Sequence, residues 1–262
     1  MSASPLTVHP VPAFNDNYLW VIHNSREAAV VDPGDAGPVL EYLAANKLSL
    51  VAIVCTHHHG DHVGGVETLL DTLSLRGKIP VFGPAKENIP ARTMALREGD
   101  RIAIDALGLT FDVLDVPGHT AGHIAYVGNG WLFCGDTLFA CGCGRLFEGT
   151  AAQMQDSLAK FRTLPPETKV FCAHEYTMAN IKFAEAVEPD NADLKLRKAF
   201  SAAKRHRNLP TVPSTIGLEL ATNPFLRWDA PAVQAAAQHR GVKLNAAPSL
   251  VFGAIREWKN NF

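Results

Sequence analysis

No CxxC pair occurs in this chain, and its five cysteines, Cys55, Cys134, Cys141, Cys143 and Cys172, are an odd number. That pattern argues against a disulfide framework and against a cysteine-rich structural zinc knot. Cys55, Cys134 and Cys172 lie inside apolar runs and read as small buried hydrophobes, which suits a reducing cytoplasm. Charge of one sign is also missing: 24 Lys and Arg against 26 Asp and Glu leave a formal net charge of −2. Bulk electrostatics therefore give no reason to expect a nucleic-acid or membrane partner. No window reaches a membrane-spanning length without charges, and the opening Met1-Ser2-Ala3-Ser4-Pro5-Leu6-Thr7-Val8 lacks the basic stretch and apolar core of a leader. The chain reads as soluble and unexported. Internal repeats, low-complexity segments and a GxSxG nucleophile elbow are absent as well.

At 262 residues the chain exceeds the usual single-domain size, so a large domain with a smaller appendage is expected. Up to about residue 175, short apolar runs alternate with Gly, Pro, Asn and Asp: Tyr18 to Ile22, Ala28 to Val31 before Asp32-Pro33-Gly34, and Leu50 to Val54. These read as strands. Helical spacing runs over Pro38 to Ala45, Val63 to Leu70 and Gln153 to Leu164. Beyond Tyr176 helix formers dominate, over Ala179 to Val187, Asp193 to Lys204, Pro231 to His239 and Ser249 to Trp258, with Asp229 and Ser249 as candidate N-caps of the last two. The expected organisation is an α/β (α+β) domain over 1–175 and an α-helical domain over 176–262.

The chemistry is concentrated in Thr56-His57-His58-His59-Gly60-Asp61-His62, directly after an apolar run ending at Cys55. In an extended segment residues i and i+2 point the same way, so His57 and His59 can share a metal while His58 faces elsewhere. Gly60 permits the turn that sends Asp61 and His62 to a second position. Three more ligand-type residues follow apolar runs in the same manner: His119 after Phe111 to Val116, Asp136 after Trp131 to Cys134, and His174 after Val170 to Ala173. Strands of one packed sheet can end along a common edge, where their loops converge on a site. Five neutral imidazoles and two carboxylates suit two divalent ions, zinc first, with iron or manganese acceptable. A single zinc would need only three protein ligands and an open position, so the count implies a binuclear site and metal-assisted hydrolysis.

The run THHHGDH, followed in order by PGHTAGH, CGDTLF and AHEYT, resembles the metallo-β-lactamase superfamily; FNDNY, GCGRLFEGT and the closing IREWKNNF are similar to its glyoxalase II (hydroxyacylglutathione hydrolase) family. The resemblance spans essentially the whole chain. It implies an αββα sandwich followed by a smaller helical C-terminal domain. It further implies His57, His59 and His119 on one metal, Asp61, His62 and His174 on the other, and Asp136 bridging them. Asp61 and Asp136, with a metal-held hydroxide, would then carry the hydrolysis of S-D-lactoylglutathione to D-lactate and glutathione. The implied partner is this small-molecule thioester alone, taken by a cytoplasmic monomer with no nucleic acid and no membrane.

Glutathione carries two carboxylates, so its site needs fixed cations near the metals. The resemblance assigns Arg145, Tyr176, Arg256 and Lys259 to that role. Without it, Arg256 and Lys259, three apart on a last helix and near a C-terminus, read rather as surface charges compensating a helix dipole. Tyr176 alone could pack or contact. Some members of the family have a tyrosine where this chain has Phe147. His123 reads as a packing or supporting histidine, His58 is open, and His9, His23, His206 and His239 lack ligand neighbours. The basic stretch Lys195, Arg197, Lys198, Lys204, Arg205, His206 and Arg207 fits the solvated side of a helix, with no aromatic residue over 201–209 to stack bases. Two rival enzymes could use the same scaffold, a persulfide dioxygenase with one iron and a metal-dependent phosphodiesterase or nuclease. A binding module with a structural metal is disfavoured, because such sites are closed and usually cysteine-rich.

Overall fold

The computed structural model describes residues 6–262; the opening segment read above as lacking a leader lies, over residues 1–5, outside the described residues. Two compact units divide the chain, Met1–Asp115 with Gly122–Gly135, and Val116–Ala121 with Asp136–Phe262.

In the first unit β1 (Thr7–Ala13), β2 (Asn17–His23), β3 (Glu27–Val31), β4 (Ser49–Val54), β5 (Val81–Pro84) and β6 (Met94–Leu96) pair in that order. The first three are antiparallel and β3 to β6 run parallel. Parallel neighbours need crossovers. These are α1 (Ala36–Asn46) after β3, and α2 (Gly60–Val63) with α3 (Val66–Thr72) after β4. Leu19, Val21, Ala28, Val30 and Ile53 pack against Val39 and Leu43 of α1 and Val66, Leu69 and Leu70 of α3. The alternate residues Trp20, Ile22, Ala29, Val31, Ala52 and Val54 are also buried, so β2 to β4 are covered on both faces and read as unbroken apolar runs. A second sheet of β7 (Arg101–Ile104), β8 (Leu109–Asp115), β9 (Ile124–Gly128) and β10 (Trp131–Gly135) is antiparallel throughout.

One pairing positions the chemistry. Val31 and Val54 are partners in the parallel β3–β4 ladder, so the loops after them leave the sheet at the same edge. Asp32 therefore meets Thr56, and Asp32 N–H donates to the carbonyl of Val54 at 2.8 Å. Asp32 holds a left-handed backbone with φ 51°, an unusual state for a non-glycine residue that the surrounding bonds must hold.

The second unit contains β11 (Leu138–Phe139), β12 (Gly142–Cys143), α4 (Ala151–Arg162), β13 (Lys169–Cys172), α5 (Thr177–Val187), α6 (Ala192–His206), β14 (Ser214–Thr215), α7 (Ile216–Thr222), α8 (Pro231–Gln238) and α9 (Pro248–Asn260). β11 and β12 form a short antiparallel hairpin, and β13 pairs antiparallel with β14 although α5 and α6 lie between them in the chain. Helix starts follow sequence chemistry: Thr150 and Gln153 form a capping box on α4, and Asn191 and Thr215 cap α6 and α7. Phe183, Phe225, Phe252 and Trp258 form an aromatic core among α5, α9 and the turn after α7.

Four sequence readings change. The helix expected over Val63 to Leu70 is broken, because Gly64 and Gly65 separate α2 from α3 and Gly65 N–H donates to the carbonyl of Pro33. Asp229 is not an N-cap; Ala230 holds that place ahead of Pro231, and Asp229 pairs with Arg162 at 2.6 Å. Ser249 lies inside α9, which starts at Pro248 behind Ala247. In both helices proline at the first position removes a donor that a side chain would otherwise cap. Finally, Arg197 leaves the basic stretch: it is buried, 2.5 Å from Glu219 and bonded to Thr222 and Ser214. Charge spacing along α6 cannot reveal an acid supplied by α7. Arg197→Ala, which strands a buried carboxylate, is expected to cost about 3–5 kcal/mol in urea unfolding, whereas the exposed Lys195→Ala stays within about 0.5 kcal/mol.

Candidate metal centre and anion cavity

In the first unit the loop after β4 carries His57 buried, His58 and His59 half-buried, Asp61 half-buried and His62 buried. His59 is the N-cap of α2, with extended φ −61° and ψ 145°. Asp32 organises this loop. Its Oδ1 accepts Thr56 N–H at 2.7 Å, and its Oδ2 accepts Thr56 Oγ1–H at 2.7 Å and His62 Nδ1–H at 3.0 Å. Thr56 has thereby spent its hydroxyl proton, so at 3.1 Å it can only accept from His57 Nδ1. Both histidines are left with their lone pairs on Nε2. Asn17 Nδ2 donates to Asp61 Oδ2 at 2.9 Å and holds that carboxylate. His123 stacks flat on His57, centroids 4.5 Å apart at 18°, and gives its Nδ1 to the carbonyl of Ile124 at 3.0 Å; it supports the ring rather than facing an ion. Gly135, at φ 48°, must be glycine, since a Cβ there would lie 2.3 Å from Thr56 Oγ1 and 2.8 Å from His123 Nε2.

In the second unit His119 Nδ1 donates to the carbonyl of Arg145 at 2.9 Å, which again puts the lone pair on Nε2. That Nε2 faces Asp136 Oδ2 at 3.4 Å, and His174 Nε2 faces the other oxygen, Oδ1, at 3.3 Å. A charge-assisted bond would be about 2.7–2.9 Å. Across the first loop His57 Nε2 and His59 Nδ1 are 3.2 Å apart, and His62 Nε2 is 3.6 Å from Asp61 Oδ2. Two donors sharing one tetrahedral ion at 2.0–2.1 Å stand about 3.3 Å apart. At His119–Asp136 and His62–Asp61, where the bonds above make both sides acceptors, such a separation is the arrangement a cation relieves. The residues thus fit a divalent metal, and Asp32, His57 and His62 also fall within one donor cluster of 4.8 Å.

The second unit has a cavity of ≈ 490 Å³ lined by His119, Asp136, Arg145, Phe147, Tyr176, Asn180, Arg256 and Lys259, among others. All four residues assigned above to substrate line it. Arg256 is buried, with Nη1 donating to the carbonyl of Cys143 at 2.9 Å and the guanidinium 5.1 Å from the Phe225 ring. It is therefore not a surface charge. Its Nε, also buried, has no hydrogen-bond partner. Lys259 Nζ donates to Asn180 Oδ1, and Asn180 Nδ2 to the carbonyl of Ala140. Burial, then the Arg256 charge, pulls the Lys259 ammonium down to about 8. Tyr176 stacks on His174 at 4.8 Å and 2°. Phe147 is exposed and turns its ring toward His119 at 5.2 Å.

The model of the metallo-beta-lactamase superfamily matches residues 14–174, and that of the hydroxyacylglutathione hydrolase C-terminus matches 175–262. A hydroxyacylglutathione hydrolase of Nitrosomonas eutropha is 54% identical over 98% of this chain and 99% of its own length. One of Cupriavidus taiwanensis is 56% identical over 98% and 99%. The chain belongs to the hydroxyacylglutathione hydrolase family, within the metallo-β-lactamase superfamily. Its fold is that of the superfamily, with the helical C-terminal region of the hydrolases. Among solved structures, TTHA1623 in a di-iron-bound form is similar at 26% identity and TM-score 0.59, over 84% of this chain and 100% of that one.

Sequence reading missed Asp32, Asn17 and Asn180. Asp32 and Asn17 stand in turn-type contexts, DPG and FNDNY, where the residue type already serves a local purpose and its tertiary bond leaves no signal. Asp32→Asn leaves one acceptor oxygen, and an amide NH2, where three donors, two from Thr56 and one from His62, converge. Zinc affinity by chelator competition is expected to fall about 10- to 100-fold; an unchanged affinity would show that Asp32 does not set the tautomer.

Proposed function

We propose that this chain hydrolyses S-D-lactoylglutathione to D-lactate and glutathione. The observation that carries the reading is the cavity of the second unit, where His119 and Asp136 share one wall system with Arg145, Arg256 and Lys259. A donor set for metal and a trio of cations for a small dianion thus line one space. Family membership supports the same reaction. The division of labour proposed is catalysis by residues 1–175 and substrate binding by 176–262, with Arg145 added from the first part.

The proposed ligand sets are His57, His59 and His119 for one ion, Asp61, His62 and His174 for the other, and Asp136 for both. The two oxygens of Asp136, each turned to a different imidazole, support the shared role, as does the di-iron form of the solved relative. Zinc is proposed first on the nitrogen-rich donor set, with iron or manganese as substitutes. Such ions would supply Lewis-acid polarisation of the thioester carbonyl and a water acidified to near neutral pH.

The chain's own residues do the rest. Arg256, fixed through Cys143, keeps its orientation without a substrate, so little ordering is lost on binding a carboxylate. Lys259, aligned by Asn180, adds a second cation for the peptide, and Tyr176 offers a hydroxyl beside His174. Phe147 can give only apolar contact. The leaving glutathione thiol has an ordinary pKa near 8.5, so departure as thiolate needs little proton donation, and the mechanism asks for no separate general acid. Five free, buried cysteines support a reducing compartment, and the cytoplasm is proposed. No helix of the described residues is long and apolar enough to cross a membrane. The enzyme is proposed to act as a monomer with no nucleic-acid or membrane partner.

Metal-analysed protein is expected to hydrolyse S-D-lactoylglutathione and to lose that activity with a chelator, while Asp136→Ala is inactive and metal-poor. Fully loaded protein inert on this and other glutathione thioesters would overturn the function. A second test reads the Lys259 charge. Below about pH 8 the ammonium is protonated and attracts carboxylate; above it the free enzyme loses that charge. The expected result is a fall in kcat/KM as pH rises through about 8. Lys259→Gln flattens that limb and lowers kcat/KM at pH 7 about 10- to 100-fold, the loss of a charged hydrogen bond.

A further inference from the structure

The β11–β12 hairpin carries two carbonyls that fix cations of the cavity. Cys143 offers its carbonyl to Arg256 Nη1 at 2.9 Å, and Ala140 offers its own to Asn180 Nδ2 at 3.0 Å, whose Oδ1 then holds Lys259. Gly142 approaches the same amide so closely that a Cβ there would fall 2.5 Å from Asn180 Nδ2. The hairpin does not hold its own shape cheaply. Cys141, at the turn, has a left-handed φ of 56°, a state that neighbouring bonds must enforce on a non-glycine residue.

Those bonds come from α7 and the residue just after it. Glu219 is fully buried. Its Oε2 accepts Cys141 N–H at 2.9 Å and Asn223 Nδ2–H at 3.0 Å, while its Oε1 accepts Ser214 Oγ–H and, at 2.5 Å, Arg197 Nη2–H. Asn223, also fully buried, brings the same Nδ2 within 3.1 Å of the Phe139 carbonyl and 2.9 Å of the Gly142 carbonyl, so its two hydrogens serve three acceptors. Its Oδ1 accepts Phe225 N–H at 3.0 Å. The hairpin is thus gripped on both strands and at its turn by two side chains that do not line the cavity. Stability alone does not call for this network, since a buried ion pair can often be replaced by well-packed apolar residues at little cost. Apolar residues cannot accept from Cys141 N–H or donate to the two carbonyls.

We propose that Glu219 and Asn223 are positioning residues for the anion site: by holding the β11–β12 hairpin they set the carbonyls that orient Arg256 and Lys259. Asn223 acts mainly on Arg256, because the carbonyl it holds at Gly142 is one residue from that of Cys143. Glu219 acts mainly on Lys259, because Cys141 follows Ala140. The inference rests on the proposed binding of substrate carboxylates by Arg256 and Lys259. A charge-assisted hydrogen bond has a narrow range of length, about 2.7–2.9 Å. A hairpin free to shift would leave the cations in the cavity but out of register with a small dianion.

Asn223→Ser keeps an oxygen that can cap Phe225 N–H and removes the amide donor to both hairpin carbonyls. The double change Arg197→Met with Glu219→Leu replaces the ion pair by apolar volume and removes the acceptor of Cys141 N–H; it stands in should Asn223→Ser fail to fold. kcat and KM for S-D-lactoylglutathione are measured per mole of folded, metal-loaded full chain. The set is wild type, these two variants, Arg256→Gln, and Asn223→Ser combined with Arg256→Gln. KM is expected to rise about 10-fold in Asn223→Ser and in the double change, the loss of a charged hydrogen bond. kcat is expected to stay within about twofold, the signature of lost uniform binding. In the Arg256→Gln background Asn223→Ser adds no further rise in KM. An unchanged KM would overturn the proposal. So would rises that multiply in combination, because Asn223 would then act elsewhere than through Arg256. Loss of folding in both variants, or a kcat that falls at unchanged KM, would reduce the network to stability and overturn it as well. Wild-type protein inert on the thioester, or Arg256→Gln with wild-type KM, would instead sink the substrate reading beneath it.

Discussion

The Asp32 carboxylate is the constraint on which the first unit's donors depend. Three donors converge on it, two from Thr56 and one from His62. Its position is made by the parallel register of β3 and β4. Its backbone stays in the left-handed region because those bonds outweigh a strain of order 1–3 kcal/mol. The consequence travels through protons. Thr56, having donated, must accept from His57, and two imidazoles present lone pairs in the same sense. A buried carboxylate with this many donors orients rings that metal ions need neutral and deprotonated at one nitrogen.

The second unit reaches the same end by different means. A backbone carbonyl, that of Arg145, sets His119, and Asp136 divides its oxygens between two imidazoles. Around this lies a cluster of cations, and its cost is visible in Lys259, whose ammonium is destabilised by burial and by Arg256. Arg256 keeps a buried Nε that no protein atom satisfies, and an unsatisfied buried donor costs about 1–3 kcal/mol.

Much of this was legible in the sequence, for definable reasons. Strands β2, β3, β4, β10 and β13 are buried apolar runs, β8 alternates buried and exposed residues, and every donor named from the sequence stands just after such a strand or a turn from it. Helix interiors were legible and helix starts less so: proline at the first position displaced the expected caps Asp229 and Ser249. The missed residues share one property, that their partners are distant in the chain. Asp32 and His62 are 30 residues apart, Asn17 and Asp61 are 44, and neither pair has a spacing rule. Arg197 was misread in the same way, because a charge run shows where cations are and not which one meets a buried Glu219. Arg256 is the converse case, a charge near a chain end that looks superficial until Phe225 and Cys143 are seen around it.

The central claim is that hydrogen-bond partners settle the imidazole tautomers before any metal arrives. Long-range ¹H–¹⁵N correlation spectra of the zinc-loaded and metal-free protein, with each histidine assigned, read those tautomers directly. The account predicts protons on Nδ1 of His57, His62 and His119 in both states, with Nε2 carrying the lone pair. Protons on Nε2 of these rings in the metal-free protein, moving to Nδ1 only when zinc is added, would contradict it.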